Sequence, residues 1–373
     1  MIIALISNKQ LCALLLTVAV ALVLFGASSP SHAISLNIRE NISKLTKQQH
    51  LPHVKTPMRD ILSCSDNETL SLSSDAYQFP NHHPNNILEA YYHEWWFFAF
   101  FDPVQDIGFC VGYGVQNQLH AWDHNALASM AGMVWPYVSK PPPNNNNNTR
   151  SGLFSEIMSI GSTKWWLTYE QTVPACREVV EIPELLQLDW ISYMPAANVK
   201  GIIQIDGKNY SINTVGYHDH NYGSWPTSYF NWIWAQFNHA PSDFALVVGA
   251  YTVPLTNSHV GYVFLRYRGR KIKIGTLCAD MFELTPLEFV TSPQGKRVSV
   301  HNKVISYNKE WKVVIDYRAQ VSDRNPGDRG LGLFVFEQIS LYNVELYNSK
   351  NGGAWTLVEK MTGYGFSEWS DRT

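Results

Sequence analysis

The residues best suited to chemistry in this chain fall in one short run, "GYHDHNYGSWP", at residues 216–226. Four consecutive polar side chains, His218, Asp219, His220 and Asn221, sit between aromatic neighbours and the glycines Gly216 and Gly223. If the run is a strand, side chains alternate between its faces. Tyr217, Asp219 and Asn221 then share one face, and His218 and His220 share the other. The histidine face offers two imidazoles for a metal, with His93, Glu94, His120 and Asp123 as further ligands. The Asp219 face offers an acid. A carboxyl group turned into an aromatic cavity loses hydration, its pKa rises, and it keeps a proton near neutral pH. A polar turn rich in Asx residues is the plain alternative.

A second segment, "YYHEWWFFAFF" at residues 91–101, is aromatic on both strand faces. Tyr92, Glu94, Trp96 and Phe98 lie on one face, and Tyr91, His93, Trp95, Phe97 and Ala99 on the other. Such a strand is covered on both sides. Glu94, among rings, needs a hydrogen-bonding partner or acts as a second acid or base beside Asp219. A third cluster, "LHAWDHNAL" at 119–127, reads as an Asx-capped loop. Trp225, Trp232 and Trp234 follow the central motif. Aromatic faces stabilise a desolvated cation by about 0.5–2 kcal/mol each. The candidate catalytic residues are therefore Asp219, Tyr217, His218, His220 and Glu94. The candidate substrate contacts are Trp95, Trp96, Trp225, Asn221 and Tyr113.

The elements that would position these residues are strands. Short runs such as "VKGIIQID" and "FALVVGAYTV" recur between turn signals such as "YRGRK" and "NSKNGG", and no long stretch carries a 3.6-residue period. This implies an all-β chain, sandwich or barrel. The similar style of the two halves places a boundary near Pro226: an amino-terminal domain over 76–225 and a carboxy-terminal one over 226–373. The "PPPNNNNNTR" tract at 141–150 reads as a surface loop. Charged residues are only 16% of the chain and aromatics 13%, which suits a large interior or an apolar-lined cavity. A net charge of −3 gives no reason to expect nucleic acid or an anionic membrane as partner.

Residues 1–33 have the layout of a secretory signal. Lys9 precedes the apolar run from Leu11 to Gly26, and "ASSPSHA" supplies a cleavage site after Ala33. The run is shorter than the about 20 residues a bilayer span takes, so the expected product is secreted or periplasmic, without a stable membrane span. Residues 34–75 read as a lead-in segment. Cys64, Cys110, Cys176 and Cys278 allow disulfides in an oxidising compartment, without a fixed pairing. No GxSxG, Walker or dinucleotide fingerprint is present, and no cofactor is implied.

The segments "YYHEWWFFAFFDP" and "GYHDHNYGSWP", with the carboxy-terminal "MTGYGFSEW" that holds Gly365 and Glu368, resemble the carotenoid 1,2-hydratase (hydroxyneurosporene synthase)/AttH-like family, which includes secreted hydratases of the kievitone hydratase type. The resemblance implies two tandem lipocalin-like antiparallel β-barrels. It also implies cofactor-free, acid-catalysed hydration of an isoprenoid alkene, or cyclisation if the substrate carries its own nucleophile. By that resemblance Tyr217 and Asp219 match the family's Tyr and proton-donating Asp. The family's upstream His and Trp meet "LDWISYMP" here, which supplies Trp190 and no His. The base that activates water would be His218, His220 or Glu94. Three other readings stand beside this one: a lipocalin-type carrier of a lipophilic small molecule, a metal enzyme on the histidine face, and a pericyclase that needs no acid.

Overall fold

The computed structural model describes residues 92–116, 127–136, 138–139, 163–182, 186–224, 231–252, 259–276, 280–325, 328, 333–350 and 352–372. The expectations for the signal, the lead-in segment, the Asn-rich loop, His120, Asp123, Cys64, Cys278 and Trp225 lie outside these residues.

The described chain is almost wholly antiparallel β-structure, in two sheets. The first is built from β1 (Tyr92–Asp102), β2 (Ile107–Gln116), β3 (Leu127–Pro136), β4 (Lys164–Gln171), β5 (Cys176–Ile182), β6 (Leu186–Ile205) and β7 (Lys208–Ser224). Its order is β3-β2-β1-β7-β6-β4, with β5 also paired to β6. The second contains β8 (Trp232–His239), β9 (Phe244–Thr252), β10 (His259–Tyr267), β11 (Arg270–Gly275), β12 (Met281–Thr291), β13 (Arg297–Tyr307), β14 (Trp311–Arg324), β15 (Leu333–Asn348) and β16 (Thr356–Arg372). Its order is β11-β10-β9-β8-β16-β15-β14-β13-β12. The all-β expectation holds, with one correction: among the described residues neither sheet closes into a barrel. The edges of the second sheet, β11 and β12, come close without a hydrogen-bonded ladder. Their sequences explain this. β11 carries Arg270, Lys271 and Lys273, and β12 carries Pro286 at a bulge with Glu283 and Glu288 nearby. Charge, proline and bulges are the devices that keep edge strands from pairing.

Local sequence sets the register. Asp206 and Gly207 both take left-handed φ, +50° and +79°, between β6 and β7. Arg268 and Gly269 do the same between β10 and β11, at +48° and +79°. Two successive left-handed residues make the tight hairpin turn whose twist matches the strands. Further along, β6 bulges between Ile191 and Met194, opposite His218 to His220 of β7. The irregularity lies beside Asp219, where a bulge re-aims side chains.

Each sheet buries one face in its own core. In the first, Phe100, Phe109, Val134, Val199 and Ile203 pack together. In the second, Ala235, Phe237, Leu246, Val263, Ile315 and Val344 do. A third cluster joins the sheets: Phe97, Ala99, Trp135, Trp190 and Tyr217 from the first meet Trp234, Val247, Phe264, Ile339 and Phe366 from the second. Trp190 lies against Gly249 of β9, where any Cβ would overlap the indole ring. A glycine is therefore required at that close approach. The functional candidates are arranged about this shared layer.

Candidate functional site

β7 pairs with β1 in register: Tyr217 opposes Ala99, His218 Phe98, Asp219 Phe97, His220 Trp96 and Asn221 Trp95. Directly opposed residues share a face. Tyr217, Asp219, Asn221, Trp95 and Phe97 therefore point toward the second sheet. His218, His220, Glu94, Trp96 and Phe98 point away from it. The alternation read from the sequence is the alternation observed.

The face toward the second sheet opens into a cavity that is partly open to solvent. The first sheet contributes Trp95, Phe97, Leu188, Trp190, Asp219 and Asn221 to its walls. The second contributes Trp232, Trp234, Tyr251 and Glu368. Asp219 is buried and held by three donors. The Tyr217 hydroxyl donates to Oδ2 at 2.9 Å and Trp190 Nε1 to the same oxygen at 3.1 Å, while Asn221 Nδ2 donates to Oδ1 at 2.9 Å. Burial raises the Asp219 pKa to about 6 against the pull of these bonds and of His218. Desolvation disfavours the carboxylate more than the donors restore it. Tyr217, fully buried beside that carboxyl, is pushed well above its ordinary range and stays a neutral donor.

Across the cavity stands a carboxyl pair. Glu368 on β16 is opposed by Glu337 on β15 and by Trp234 on β8. Trp232 Nε1 donates to Glu368 Oε2 at 2.8 Å, and Asn325 Nδ2 donates to Glu337 Oε1 at 2.8 Å. Burial raises Glu368 to about 7, with the charge of Asp219 adding to it. Glu337, deeper, is raised well above the ordinary carboxyl range by burial and by Glu368.

The other face of β7 is a packed interior. His220 Nε2 meets Glu94 Oε1 at 2.8 Å, and both side chains are fully buried. The Tyr92 hydroxyl donates to Glu94 Oε2 at 2.6 Å. His220 stacks on Trp96 at 4.5 Å and His218 on Phe98 at 4.0 Å between ring centroids. Tyr113 lies at the surface, edge-on to Phe98. The expectation that His218, His220 or Glu94 is the base beside Asp219 is therefore corrected, as is the placing of Trp96 and Tyr113 on the substrate: strand alternation turns all five away from the Asp219 cavity. Among the described residues no three His, Cys, Asp or Glu side chains are grouped to hold a metal ion.

No protein-family model and no curated protein matches this chain. Among solved structures, an AttH protein from Nitrosomonas europaea superposes with a TM-score of 0.52 over 82% of this chain and 97% of its own, at 13% identity. The fold is that of AttH. Kievitone hydratase from Nectria haematococca aligns over 79% of this chain and 92% of its own, also at 13% identity, with a TM-score of 0.44. Within the AttH-like fold the cavity lies between the two sheets, and of its far-sheet walls the sequence pattern pointed to Trp232 and Trp234. Glu337 and Tyr251 drew no attention there. Glu368 entered only through a resemblance. A signal existed: Glu337 lies between Val335 and Ile339, and Glu368 follows Tyr364 and Phe366, each acid on an inward-facing alternation.

Proposed function

We propose that this protein protonates a lipophilic, isoprenoid-like alkene at Asp219 and adds water to the resulting cation, or closes a ring where the substrate carries its own hydroxyl. The observation that supports this reading is a buried carboxyl, lifted to about 6, in the wall of an aromatic cavity. An alkene is a very weak base, so its protonation is the hard step. An acid with a pKa near the working pH divides its population between proton holder and good donor.

Oδ2 already accepts two hydrogen bonds and Oδ1 one, so Oδ1 has room for the proton. The π pair of the alkene takes that proton at the less substituted carbon. A C–H bond forms, and the tertiary carbon becomes electron-poor. Trp95, Trp232 and Trp234 line the cavity about that charge and would stabilise it as aromatic rings stabilise cations. A water oxygen then forms the C–O bond. The apolar walls limit competing waters. Leu188 lines the wall two residues before Trp190, and its aliphatic side chain cannot serve as the base, a role that falls to another wall. A signal-like amino terminus supports a reading in which this chemistry runs outside the cytoplasm, on a substrate drawn from a lipid phase.

The test uses geraniol, farnesol and geranylgeraniol in detergent micelles made with H₂¹⁸O, with mass spectrometry of the products. Wild type is expected to yield ¹⁸O-labelled tertiary alcohol or unlabelled cyclic ether. Asp219→Asn is expected to lower the rate on the order of 10³-fold while retaining prenol affinity. Asp219→Asn turnover at the wild-type rate would remove the acid role. Prenol binding by both forms, with turnover by neither, would make the protein a carrier.

A further inference from the structure

The proton given up by the attacking water needs a receiver, and the histidine face cannot supply one. We infer that Glu368, with Glu337 behind it, is the second proton-handling group of the cavity and takes the proton from the nucleophile. This inference rests on the reading of Asp219 as proton donor.

Three observations carry it. First, Glu368 lines the same cavity as Asp219 but belongs to the other sheet. A substrate between the sheets therefore meets one carboxyl on each side, as addition of a proton and an oxygen to two neighbouring carbons requires. Second, Glu337 and Glu368 are opposed on adjacent strands. Two buried carboxylates so placed repel, and one proton between them relieves the repulsion. Glu337 Oε2 is buried with no hydrogen-bond partner among the described residues, so the proton belongs on Glu337, turned toward Glu368. Glu368 then presents a carboxylate to the cavity, fixed by Trp232 Nε1. Third, Trp234, a further wall of the cavity, is only 3% exposed, and its Nε1–H has no acceptor among the described residues. A buried donor of this kind marks a place for a polar ligand atom, in register with Glu368.

The step balances. The proton on Asp219 Oδ1 passes to carbon. The oxygen lone pair of water forms the C–O bond, and a water proton passes to the Glu368 carboxylate. Asp219 ends ionised and Glu368 neutral, and the proton returns to Asp219 once product leaves and water re-enters. Where the substrate hydroxyl is the nucleophile, its proton takes the same route. The titratable groups around Glu368 are Glu337 on β15, Asp219 on β7, Tyr251 on β9 and Cys110 on β2, with Asp323 of β14 next to Glu337 in the row and bonded to Trp135 Nε1. Asp219 titrates near 6 and Glu368 near 7, so activity should trace a bell with those two macroscopic limits.

The experiment compares wild type, Glu368→Gln, Glu337→Gln and Asp219→Asn on the same prenols, in H₂¹⁸O and in D₂O, with thermal melting to verify the fold. Glu368→Gln keeps an acceptor for Trp232. It is expected to lose about 10²-fold in water addition yet still to place deuterium in recovered alkene, since Asp219 can protonate carbon and take a proton back. Asp219→Asn is expected to lose both. Glu337→Gln still donates to Glu368, but an amide N–H is a weaker donor than a carboxylic acid, so Glu368 holds its proton more tightly and the pH optimum should move to higher pH. Loss of both water addition and deuterium uptake in a folded Glu368→Gln, or wild-type addition with an unchanged pH profile in both Glu variants, overturns the inference and leaves the Asp219 reading standing. Full activity of Asp219→Asn, or no labelled product from wild type, removes that reading and this inference with it.

Discussion

On one face of β7, His218 and His220 lie flat against aromatic rings, and the fully buried His220 shares Glu94 with Tyr92. On the other face, one residue along, Asp219 is equally buried but looks into a cavity. Both clusters are polar, aromatic-flanked and cut off from bulk water. They differ in what answers the desolvation. The histidine face is answered from within, by a carboxylate and stacked rings. The Asp219 face is answered in part, by three donors that leave its pKa high and one lone-pair direction open. Polar residues packed for stability have their partners supplied by the protein, whereas a site for chemistry leaves some capacity for a ligand.

This contrast can be broken most forcefully at Glu94. Glu94→Ala removes the carboxylate that His220 and Tyr92 share in a fully buried setting, and breaking such a pair costs about 3–5 kcal/mol. Urea denaturation near neutral pH should show a loss of that size. Asp219→Asn, on the opposite face, should show no loss at all under the same conditions. A Glu94→Ala protein as stable as wild type would mean that the histidine face is not the structural one.

A somewhat smaller effect should appear on the acid face alone, as a dependence of stability on pH. Asp219 titrates near 3.8 when unfolded and about 6 when folded. Between those values the folded state binds more protons than the unfolded state, so stability falls as pH rises. It is undiminished below the lower pKa and has reached its full loss above the upper one. Roughly two units at 1.36 kcal/mol each amount to about 3 kcal/mol. Glu368, raised from 4.5 to about 7, acts in the same direction. Denaturation from about pH 4 to about pH 7 should therefore show wild type losing about 3 kcal/mol more than Asp219→Asn. Parallel curves for the two proteins would show that Asp219 carries no desolvation penalty.

Much of this contrast was legible in the residues. Alternation along 217–221 is a local property of any strand, and it divided the acid from the histidines before the fold was known. The "YRGRK" turn with Gly269 likewise announced its hairpin. The partners across the shared layer were not legible. Glu337 and Glu368 meet Asp219 only because two sheets, each built from its own half of the chain, turn one face toward each other. No local pattern encodes which faces those are. Barrel closure was misjudged for a related reason. Closure depends on whether two edge strands far apart in sequence find a register, and the charges on β11 and the proline and bulge in β12 act against it. Glu94 shows the limit most plainly: its nearness to the motif in space was inferred correctly, but the register with β7 puts it on the wrong side.

The finest test concerns the donors that keep Asp219 from rising further. Trp190 Nε1 reaches Oδ2 at 3.1 Å, and this bond favours the carboxylate. Trp190→Phe keeps a ring against Gly249 but removes the N–H, so Asp219 should move upward from about 6 by about one unit, or about 1.4 kcal/mol. Carboxyl ¹³C titration would measure it. Trp234→Phe is the matched control: its indole is another wall of the cavity, and its N–H has no acceptor among the described residues, so the change alters ring size without removing a donor to Asp219. An upward shift in Trp190→Phe alone would assign the effect to the hydrogen bond. Equal shifts in both would mean that the cavity's dielectric, rather than its donors, sets the proton affinity of Asp219. The three donors would then serve to orient the carboxyl group and contribute little to its charge.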